Sequence, residues 1–599
     1  MRVADYIAQF IQKLGVKHVF MITGGGMMFL SDGVAANKNL NPVFNHHEQA
    51  SAMAAFAYSK YTGTWGAAYF TTGCGATNAL TGVLDAWLDN IPVIFVAGQV
   101  KRKETTYNSG LDLRQFGVQE ANVLPVVKPI TKFSVMVNEP EKIRYYLEKA
   151  AFLANFGRPG PVWLDVPLDV QGAPIDEKNL VGFDPKELGM PEFKTEPTIF
   201  EIEQITKMLK VAKRPVILAG HGIRIAGAVS EFKQFVEKYK IPVVGTYLAI
   251  DYLPSEHPLF IGRSGLKGDR AGNLAIQNSD LLLNLGSRLG ITVTGYEYKL
   301  FAREAKIVVV DIDPQEHKKN TVKIDLFVNA DVKKFFEAVK EDFEAGTDGW
   351  REKCLDWKNR YPVCLPEYKQ SKDGINLYYF VDRLSKQLKT DSVVVSDAGS
   401  AMYVPAQGLQ LKAGQRFITS GGNAEMGFTI PACIGVSFAK YKGEVIGITG
   451  DGSFQLNIQE LQTIVYHQLP IKLFVWNNDG YLSIRFTQKR FFPGNGHGTD
   501  KSNGISFPDL KKIAYAYGIH YIKISDNELL DKGIQEVLNY SGPVICEVMC
   551  SRDQEIIPTV SSKKREDGSM VSKPLEDMYP FLDREEFKSQ MIVKPIDEE

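Results

Sequence analysis

A Gly-Asp-Gly-Ser turn at residues 450–453 has the composition of a site for a metal ion and a phosphate. Glycines allow backbone N–H groups to approach a phosphate, and the N-terminus of a following helix favours negative charge. Asp451 adds a carboxylate, while Asn478, 27 residues further on, and Gly480 add an amide and a carbonyl oxygen. One carboxylate with neutral oxygens suits Mg²⁺, which usually completes its octahedron with phosphates and water. The alternative is a pair of ordinary turns without a ligand, and the strand–helix–strand spacing between them favours the site.

The elements that must position these residues are the strands of a parallel sheet. Nearly continuous apolar strands separated by helical patterns are typical of sheets that are buried on both faces. Ligands of open α/β sheets bind beyond the carboxyl ends of the strands, and both the 450–453 turn and Asn478 follow such ends. The predicted strands include His18–Ile22, Ala67–Thr71, Pro92–Ala97, Pro161–Val166, Pro215–Ala219, Leu281–Leu285, Ile307–Ile312, Val393–Ser396, Val445–Thr449 and Ile471–Trp476.

The chain of 599 residues is long enough for three or four domains, at roughly 100–200 residues per domain. Residues 171–198 and 343–375 interrupt the strand–helix alternation with proline, glycine and charged residues, so we interpret them as linkers. The predicted blocks are 1–170, 195–342 and 375–550, followed by a polar tail at 551–599.

An internal repeat relates the first block to the third. Residues 66–100 resemble residues 444–478: in each, a strand ends in Thr-Gly, a helix follows, and a proline step enters the next strand. Where the second copy has Asp451, the first has Cys74. One fold is therefore predicted twice, with the oxygen ligands in the second copy alone.

The composition excludes several classes of protein. Lys and Arg number 69 against 70 Asp and Glu, so no basic excess is left for a nucleic-acid partner. Residues 1–16 have the pattern of an amphipathic helix and not of a signal peptide, and no apolar run reaches the ~18 residues of a membrane span. The six cysteines are scattered, which favours reduced thiols in a cytoplasmic protein.

Residues 450–481 resemble the diphosphate–magnesium motif of thiamine diphosphate (ThDP) enzymes. More narrowly, the chain resembles catalytic subunits of acetolactate synthase over nearly all of the three blocks. The resemblance implies an α/β fold of three doubly wound parallel-sheet domains: pyrimidine-binding, central and diphosphate-binding. It also implies a homodimer or homotetramer with active sites between chains. The supporting stretches are TTGCGATNALTGVLDAWLDNIPV, GRPGPVWLDVPLDVQ, DIDPQEHKKN and TSGGNAEMGFTIPACIG.

Glu48, in the stretch NHHEQASAMAA, is the candidate catalytic acid. Taken alone, it is a carboxylate at a helix N-terminus, where the helix dipole stabilises it. The resemblance implies instead that Glu48 hydrogen-bonds to N1′ of the ThDP pyrimidine ring and favours the tautomer that removes the C2 proton. The adjacent His46 and His47 lack the spacing of an HExxH metal site, so we do not favour a metal there.

Other positions are carried over from the family by motif. Met426 matches the bulky residue that holds ThDP bent, and the Ala424 carbonyl would meet its 4′-amino group. For each of these positions, the alternative is a core or loop residue without a ligand. The predicted diphosphate contacts are Gly399, Ser400, Gly450, Gly452 and Ser453; the predicted Mg²⁺ ligands are Asp451, Asn478 and Gly480; and Gly25, Gly26 and Gln119 are expected beside the reacting atoms.

Four departures from the family pattern lie on the side of the second substrate. Val118 and Leu168 stand where acetolactate synthases usually have Phe and Lys, and Ser483 and Thr487 stand where they have Met and the acceptor-selecting Trp. Smaller polar residues at these last two positions would leave room for a hydroxylated acceptor.

The expected reaction is decarboxylation of pyruvate and transfer of its two-carbon unit to a carbonyl acceptor, which is a second pyruvate in the family default. The tail and the stretches NHHEQA and SIRFTQ resemble a sub-branch of ThDP flavoenzymes that transfer the unit to a nucleotide-linked 4-ketosugar, as in yersiniose formation. A simple 2-oxoacid decarboxylase is a third reading. A ThDP-fold sensor without catalysis is disfavoured because Glu48, Asp451 and Asn478 are all present.

Two stretches of the central block, 219–228 and 286–295, resemble the FAD contacts of acetolactate synthase, with Arg288 as the candidate contact. Relatives with this fold bind FAD, bind another nucleotide or bind none, so all three remain open. In this branch the role of FAD would be structural.

Overall fold

The computed structural model describes residues 1–189, 195–564 and 570–596. Three six-stranded sheets, each parallel throughout, are flanked by helices, which confirms the predicted α/β class. Within the described ranges, the helices are all too short or too polar to cross a membrane.

The first sheet has the strand order β2-β1-β3-β4-β6-β5. Its strands are β1 (His18–Met21), β2 (Asn41–Phe44), β3 (Gly66–Phe70), β4 (Val93–Gln99), β5 (Phe133–Met136) and β6 (Val162–Pro167). Its helices are α1 (Val3–Lys13), α2 (Met28–Ala36), α3 (Glu48–Thr62), α4 (Cys74–Asn78), α5 (Leu80–Leu88), α6 (Thr106–Ser109), α7 (Leu124–Val127), α8 (Ile143–Asn155) and α9 (Leu168–Gln171).

The central sheet has the order β9-β8-β7-β10-β11-β12, so the chain changes direction across the sheet between β7 and β10. Such a switch point leaves a crevice for a ligand at the carboxyl edge. The strands are β7 (Pro215–Ala219), β8 (Val243–Gly245), β9 (Phe260–Arg263), β10 (Leu281–Leu285), β11 (Lys306–Asp311) and β12 (Leu326–Asn329). The helices are α10 (Ile199–Val211), α11 (Gly222–Ile225), α12 (Val229–Tyr239), α13 (Arg270–Gln277), α14 (Ile291–Thr294) and α15 (Val332–Ala338).

The stretch 343–375, which the sequence led us to interpret as a linker, contains the helix α16 (Asp348–Arg360). Trp350 and Trp357 of this helix are buried, and the Trp350 indole donates a 3.0 Å hydrogen bond to the Pro215 carbonyl. The stretch therefore packs against the central domain and is not a free linker. Its two buried tryptophans provide the apolar surface for this packing, although its other residues are largely charged.

The third sheet repeats the order of the first, β14-β13-β15-β16-β18-β17, as expected from the internal repeat. Its strands are β13 (Val393–Ser396), β14 (Arg416–Ile418), β15 (Val445–Gly450), β16 (Ile471–Asn477), β17 (His520–Ile524) and β18 (Val544–Met549). Its helices are α17 (Leu377–Gln387), α18 (Ser400–Gly408), α19 (Thr429–Ala439), α20 (Asp451–Phe454), α21 (Leu461–His467), α22 (Leu482–Phe491), α23 (Leu510–Tyr517) and α24 (Leu530–Asn539).

The tail beyond residue 550 packs against the central domain. It contains β19 (Ser562–Lys564) and β20 (Met570–Ser572), which pair in antiparallel orientation, and then α25 (Arg584–Gln590). Glu576 forms a 2.6 Å ion pair with Arg303, and the Val593 N–H donates to Asn278 at 3.1 Å. These contacts hold the tail against the central domain.

The first and third domains share one apolar core in which α3 packs along α19. A Cβ on Gly435 of α19 would clash with the Ala54 carbonyl of α3, so glycine permits the close approach of the two helices. The packing fixes the start of α3, where Glu48 lies, relative to the third domain.

Candidate active site

The predicted Mg²⁺ ligands come together at the carboxyl edge of the third sheet. β15 and β16 are neighbours, with Gly450 paired to Trp476, so the turn after β15 lies beside the residues after β16. Asp451 is 4% exposed, and its carboxylate accepts hydrogen bonds from the N–H groups of Gly452 (2.8 Å) and Gly480 (3.1 Å). Burial raises the pKa of Asp451 to about 6. A bound cation would offset that cost by stabilising the ionised carboxylate.

The surroundings of Asp451 fit a magnesium–phosphate group. Asn478 is buried as well and would supply an amide oxygen to the set, although this oxygen here accepts a 3.4 Å hydrogen bond from the Arg485 guanidinium. A Cβ on Gly452 would clash with the Tyr481 ring, whereas one on Gly450 would meet no atom within 4 Å. The free space therefore lies on the Gly450 side, where the N-terminus of α20 favours an anion. Among the described residues, no group of three or more His, Cys, Asp or Glu side chains is arranged to hold a metal ion.

Ser453 is held by a buried acid that sequence reasoning missed. Its hydroxyl donates to Asp397 at 2.6 Å and accepts from the Gly427 N–H at 2.8 Å. Asp397 is fully buried directly after β13, and it also accepts from the Thr449 hydroxyl at 2.8 Å. With its hydroxyl engaged in this way, Ser453 would offer the predicted diphosphate its backbone N–H. The missed signal was an acid at the end of an apolar strand.

Gly399 and Ser400 begin α18 at the end of the neighbouring strand. Gly399 has a φ of +56°, a conformation that favours glycine. A Cβ there would lie 3.0 Å from the Ser483 hydroxyl, which is buried and has no hydrogen-bond partner among the described residues. An unpartnered hydroxyl next to a helix N-terminus suits a phosphate oxygen. Ser483, expected on the acceptor side, therefore lies against a predicted diphosphate contact.

The loop 420–427 carries Ala424, with a φ of +53°, and Met426, which is 38% exposed. Helix α5 of the first domain holds this loop. Asp89 accepts from the N–H groups of Gly421 (2.9 Å) and Gly422 (2.8 Å) and pairs with the buried Lys60 at 2.6 Å. Asp89 and Lys60 were also missed by sequence reasoning, because their partners lie more than 300 residues away in the chain.

Glu48 is the first residue of α3, and its carboxylate accepts a 3.0 Å hydrogen bond from Asn78. The preceding His47 caps the same helix, since its Nδ1 accepts from the Gln49 N–H at 3.1 Å. This capping role accounts for the histidine without a metal. Asn457 Nδ2 donates both to Gln49 (3.1 Å) and to the Gly427 carbonyl (2.9 Å), so the start of α3 is linked to the 420–427 loop.

The other predicted catalytic residues gather around the segment 71–75. The Gly26 N–H donates to the Thr71 hydroxyl at 3.2 Å, which places Gly25 and Gly26 beside this segment. A Cβ on Gly75 would lie 3.3 Å from the Glu48 carboxylate and 2.7 Å from the Thr71 methyl. Gln119 has a φ of +59°, and its carbonyl would clash with a Cβ on Gly73. Glu48, Gly25, Gly26 and Gln119 thus lie around one segment of the first domain.

Three thiamine pyrophosphate enzyme domain models match: the N-terminal TPP binding domain at residues 1–123, the central domain at 202–339 and the C-terminal TPP binding domain at 397–548. The acetolactate synthase large subunit of Lactococcus lactis subsp. lactis (strain IL1403) is 32% identical over 561 residues, covering 93% of this chain and 94% of that protein. The chain belongs to the thiamine pyrophosphate enzyme family. It is an enzyme of the acetolactate synthase type.

Chloroplast members of this type match over a similar length. Acetolactate synthase of Arabidopsis thaliana is 32% identical and acetolactate synthase 1 of Zea mays is 30% identical, each over 575 residues and 93% of this chain, covering 83% and 87% of those proteins. The family matches give the first and third domains of the chain a ThDP-binding role.

In this ThDP enzyme, Arg288 lines a cavity of 320 Å³ at the switch point of the central sheet, together with Gly222, Gly286 and Asp311. Gly421 of the 420–427 loop and Asp89 line the same cavity. A Cβ on Gly222 would lie 2.7 Å from the Gly286 Cα, so glycines keep the two strand-end turns close together. The cavity lies within the ~300–1,000 Å³ range of small-molecule sites.

A second, larger cavity of 1790 Å³ lies between α22, the central domain and the tail. Ser483 and Thr487 line it from α22, and Lys267 lines it from the central domain. Thr487 donates its hydroxyl to the Ser483 carbonyl at 2.9 Å, so the Thr487 side chain folds back against its own helix. Ser483 therefore lies both at the edge of this cavity and next to Gly399 of the predicted diphosphate site.

Proposed function

We propose that this enzyme is a Mg²⁺- and ThDP-dependent carboligase that decarboxylates pyruvate and transfers the two-carbon unit to a carbonyl acceptor. The observation that carries the proposal is the Asp451, Asn478 and Gly480 set at the carboxyl edge of the third sheet. Glu48, at the start of α3 in the first domain, would complete this set in a site formed between two chains. The acetolactate synthases that the chain resembles over 93% of its length support pyruvate as the donor.

The chain's own residues would divide the work between two domains. When bound, ThDP supplies a nucleophilic carbon for the keto group and accepts the charge left by departing CO₂. Glu48 would hold the proton at N1′ of the pyrimidine ring, and Asp451 with Asn478 would hold Mg²⁺ and the diphosphate. Met426 would support the bent cofactor, while Gln119 would lie beside the reacting atoms.

A larger acceptor is the second candidate, and the 1790 Å³ cavity favours it. This volume exceeds the ~300–1,000 Å³ typical of small-ligand sites, and pyruvate would fill little of it. Arg490 also lines the cavity, and burial, together with this neighbouring cation, lowers the pKa of Lys267 to about 8. A bound anion would stabilise both cations, as the phosphates of a nucleotide-linked 4-ketosugar would.

Product analysis separates these candidates. The protein is incubated with ThDP, Mg²⁺ and pyruvate, with and without a nucleotide-linked 4-ketosugar, and CO₂ and acetolactate are measured. Acetolactate in stoichiometric amount would identify pyruvate as the acceptor and would contradict the sugar candidate. Slow CO₂ release that the ketosugar accelerates would support the sugar candidate. Acetaldehyde as the sole product would contradict both and identify a simple decarboxylase.

Replacement of Thr487 by tryptophan tests the role of the large cavity. The indole would fill space that the hydroxyl leaves open, so turnover with a large acceptor should fall at least about tenfold, as a misplaced reactant predicts. CO₂ release from pyruvate alone should change little. The matched control is Thr487→Ser, which keeps the hydroxyl and the space. If Thr487→Trp lowered turnover equally with the large acceptor and with pyruvate alone, Thr487 would have no role in selecting the acceptor.

The central cavity is proposed as the site of a nucleotide, with FAD as the first candidate. Gly286 and Arg288 follow β10 and Gly222 follows β7, so the turns flank the switch point at which dinucleotides bind in open α/β sheets. Asp311, at the end of β11, would offer its carboxylate to ribose hydroxyls. The role of FAD there would be structural.

A further inference from the structure

Two buried carboxyl groups face each other between helix α5 and the 420–427 loop. Asp85 of α5 is fully buried, and its Oδ1 accepts from the Ser420 hydroxyl and from Asn423 Nδ2, both at 3.0 Å. Asp85 Oδ2 and both carboxyl oxygens of Glu425 are buried as well and receive no N–H or O–H donor among the described residues. The two carboxyl groups lie close enough for each to shift the pKa of the other. Two carboxylates so placed cannot both be ionised without strong repulsion.

One proton between the two groups resolves the repulsion. Burial, then the charge of Asp85, raises the pKa of Glu425 well above its usual value, so Glu425 is the group that would keep the proton and offer it to Asp85. The other charged group acting on Asp85 is Asp89, directly after the end of α5, and Asp89 is itself paired with Lys60 at 2.6 Å. The Asp89 charge is therefore offset locally, and the negative charge that remains is that of Asp85.

The 420–427 loop, which Asp85 and Glu425 join to α5, carries residues of the predicted cofactor site. Glu425 stands between Ala424, with its φ of +53°, and Met426. The next residue, Gly427, donates to Ser453 in the turn that carries the predicted magnesium ligand. A shift of Glu425 would therefore move the Ala424 carbonyl and the Met426 side chain together.

We propose that Glu425 is a positioning residue, in which one proton shared with Asp85 fastens the 420–427 loop to α5 and sets Ala424 and Met426 for ThDP. The inference rests on the proposed placement of ThDP against this loop. It does not require that pyruvate be the substrate.

The proposal predicts a pH dependence of ThDP binding. The shared-proton contact between Glu425 and Asp85 is present while Glu425 is protonated, and it is lost as the pH rises through the raised pKa of Glu425. Wild-type affinity for ThDP should therefore be constant near neutral pH and fall on the alkaline side. Above that pKa the fall should approach about tenfold per pH unit, because one proton is released.

Titration calorimetry of the full-length protein with ThDP and Mg²⁺, from neutral to alkaline pH, tests this prediction. Glu425→Gln keeps an N–H donor that does not ionise, so its affinity should match wild type at neutral pH and stay within about twofold at alkaline pH. Asp85→Asn removes the like charge and should also flatten the profile. The control Glu203→Gln, at an exposed position, should follow wild type.

Two results would overturn the proposal: a wild-type affinity that does not change with pH, or a Glu425→Gln profile that falls in parallel with wild type. Glu425→Ala should bind ThDP weakly at every pH, since neither a proton nor an amide then bridges to Asp85. Because binding is the readout, an enzyme that failed to use pyruvate would contradict the proposed function and leave this test intact.

Discussion

Replacement of Glu48 by glutamine should lower turnover of pyruvate by about 10²–10⁴-fold, the usual contribution of a group that positions a transferred proton. Glutamine has the size of glutamate and can keep the contact with Asn78, which lies 3.0 Å from the carboxylate. It cannot hold a proton at N1′ of the pyrimidine ring as a carboxyl group does. Binding of ThDP should therefore be nearly unchanged, and the loss should appear in kcat.

The measurement is steady-state CO₂ release beside calorimetric binding of ThDP. Glu141→Gln, an exposed carboxylate of the same domain, is the matched control and should behave as wild type. Near-wild-type turnover of Glu48→Gln would contradict the proton role. A parallel loss of ThDP binding would instead assign Glu48 a structural role at the start of α3.

Replacement of Asp451 by alanine should abolish Mg²⁺-dependent turnover and weaken ThDP binding by at least about 100-fold. The expected loss of ThDP affinity is larger than that caused by mutating a residue that only hydrogen-bonds to a metal ligand, because Asp451 is the one carboxylate of the predicted ligand set. The adjacent Asp479→Asn is the matched control, since Asp479 is exposed, has a φ of +54°, and asparagine tolerates that conformation.

Both Asp451 and Asp479 variants are titrated with Mg²⁺ at fixed ThDP, after removal of metal with a chelator. Wild type and Asp479→Asn should regain full activity at the same Mg²⁺ concentration, and Asp451→Ala should not regain it. Recovery of Asp451→Ala at the wild-type Mg²⁺ concentration would show that the cation binds elsewhere.

Much of the fold followed from local pattern. Apolar strands such as Val445–Gly450 and Ile471–Asn477 are buried on both faces, so composition alone marks them, and the chain's repeat predicted the shared strand order of the first and third sheets. The carboxyl ends of neighbouring parallel strands meet at one edge of a sheet, which is why the amino-acid pattern alone predicts that Asp451 and Asn478 lie side by side.

The residues that hold the site together could not be found in this way. Asp85 contacts Ser420 across 335 residues of sequence, and an isolated acid in an apolar helix does not reveal its partner. Asp397 has the same difficulty, since only the fold brings Ser453 to it. Similarly, nothing in the polar composition of the tail predicts its ion pair with Arg303, because that contact depends on tertiary packing.

Co-expression of Glu48→Gln and Asp451→Ala chains tests most directly whether Glu48 and Asp451 form one active site between two chains. The chains carry different affinity tags, so mixed dimers can be purified. In a mixed dimer, one site would combine the intact Glu48 of one chain with the intact Asp451 of the other, and the second site would carry both substitutions. The purified mixed dimer should then have about half of wild-type activity. Activity no higher than that of the single variants, in dimers that carry both tags, would contradict a site shared between chains.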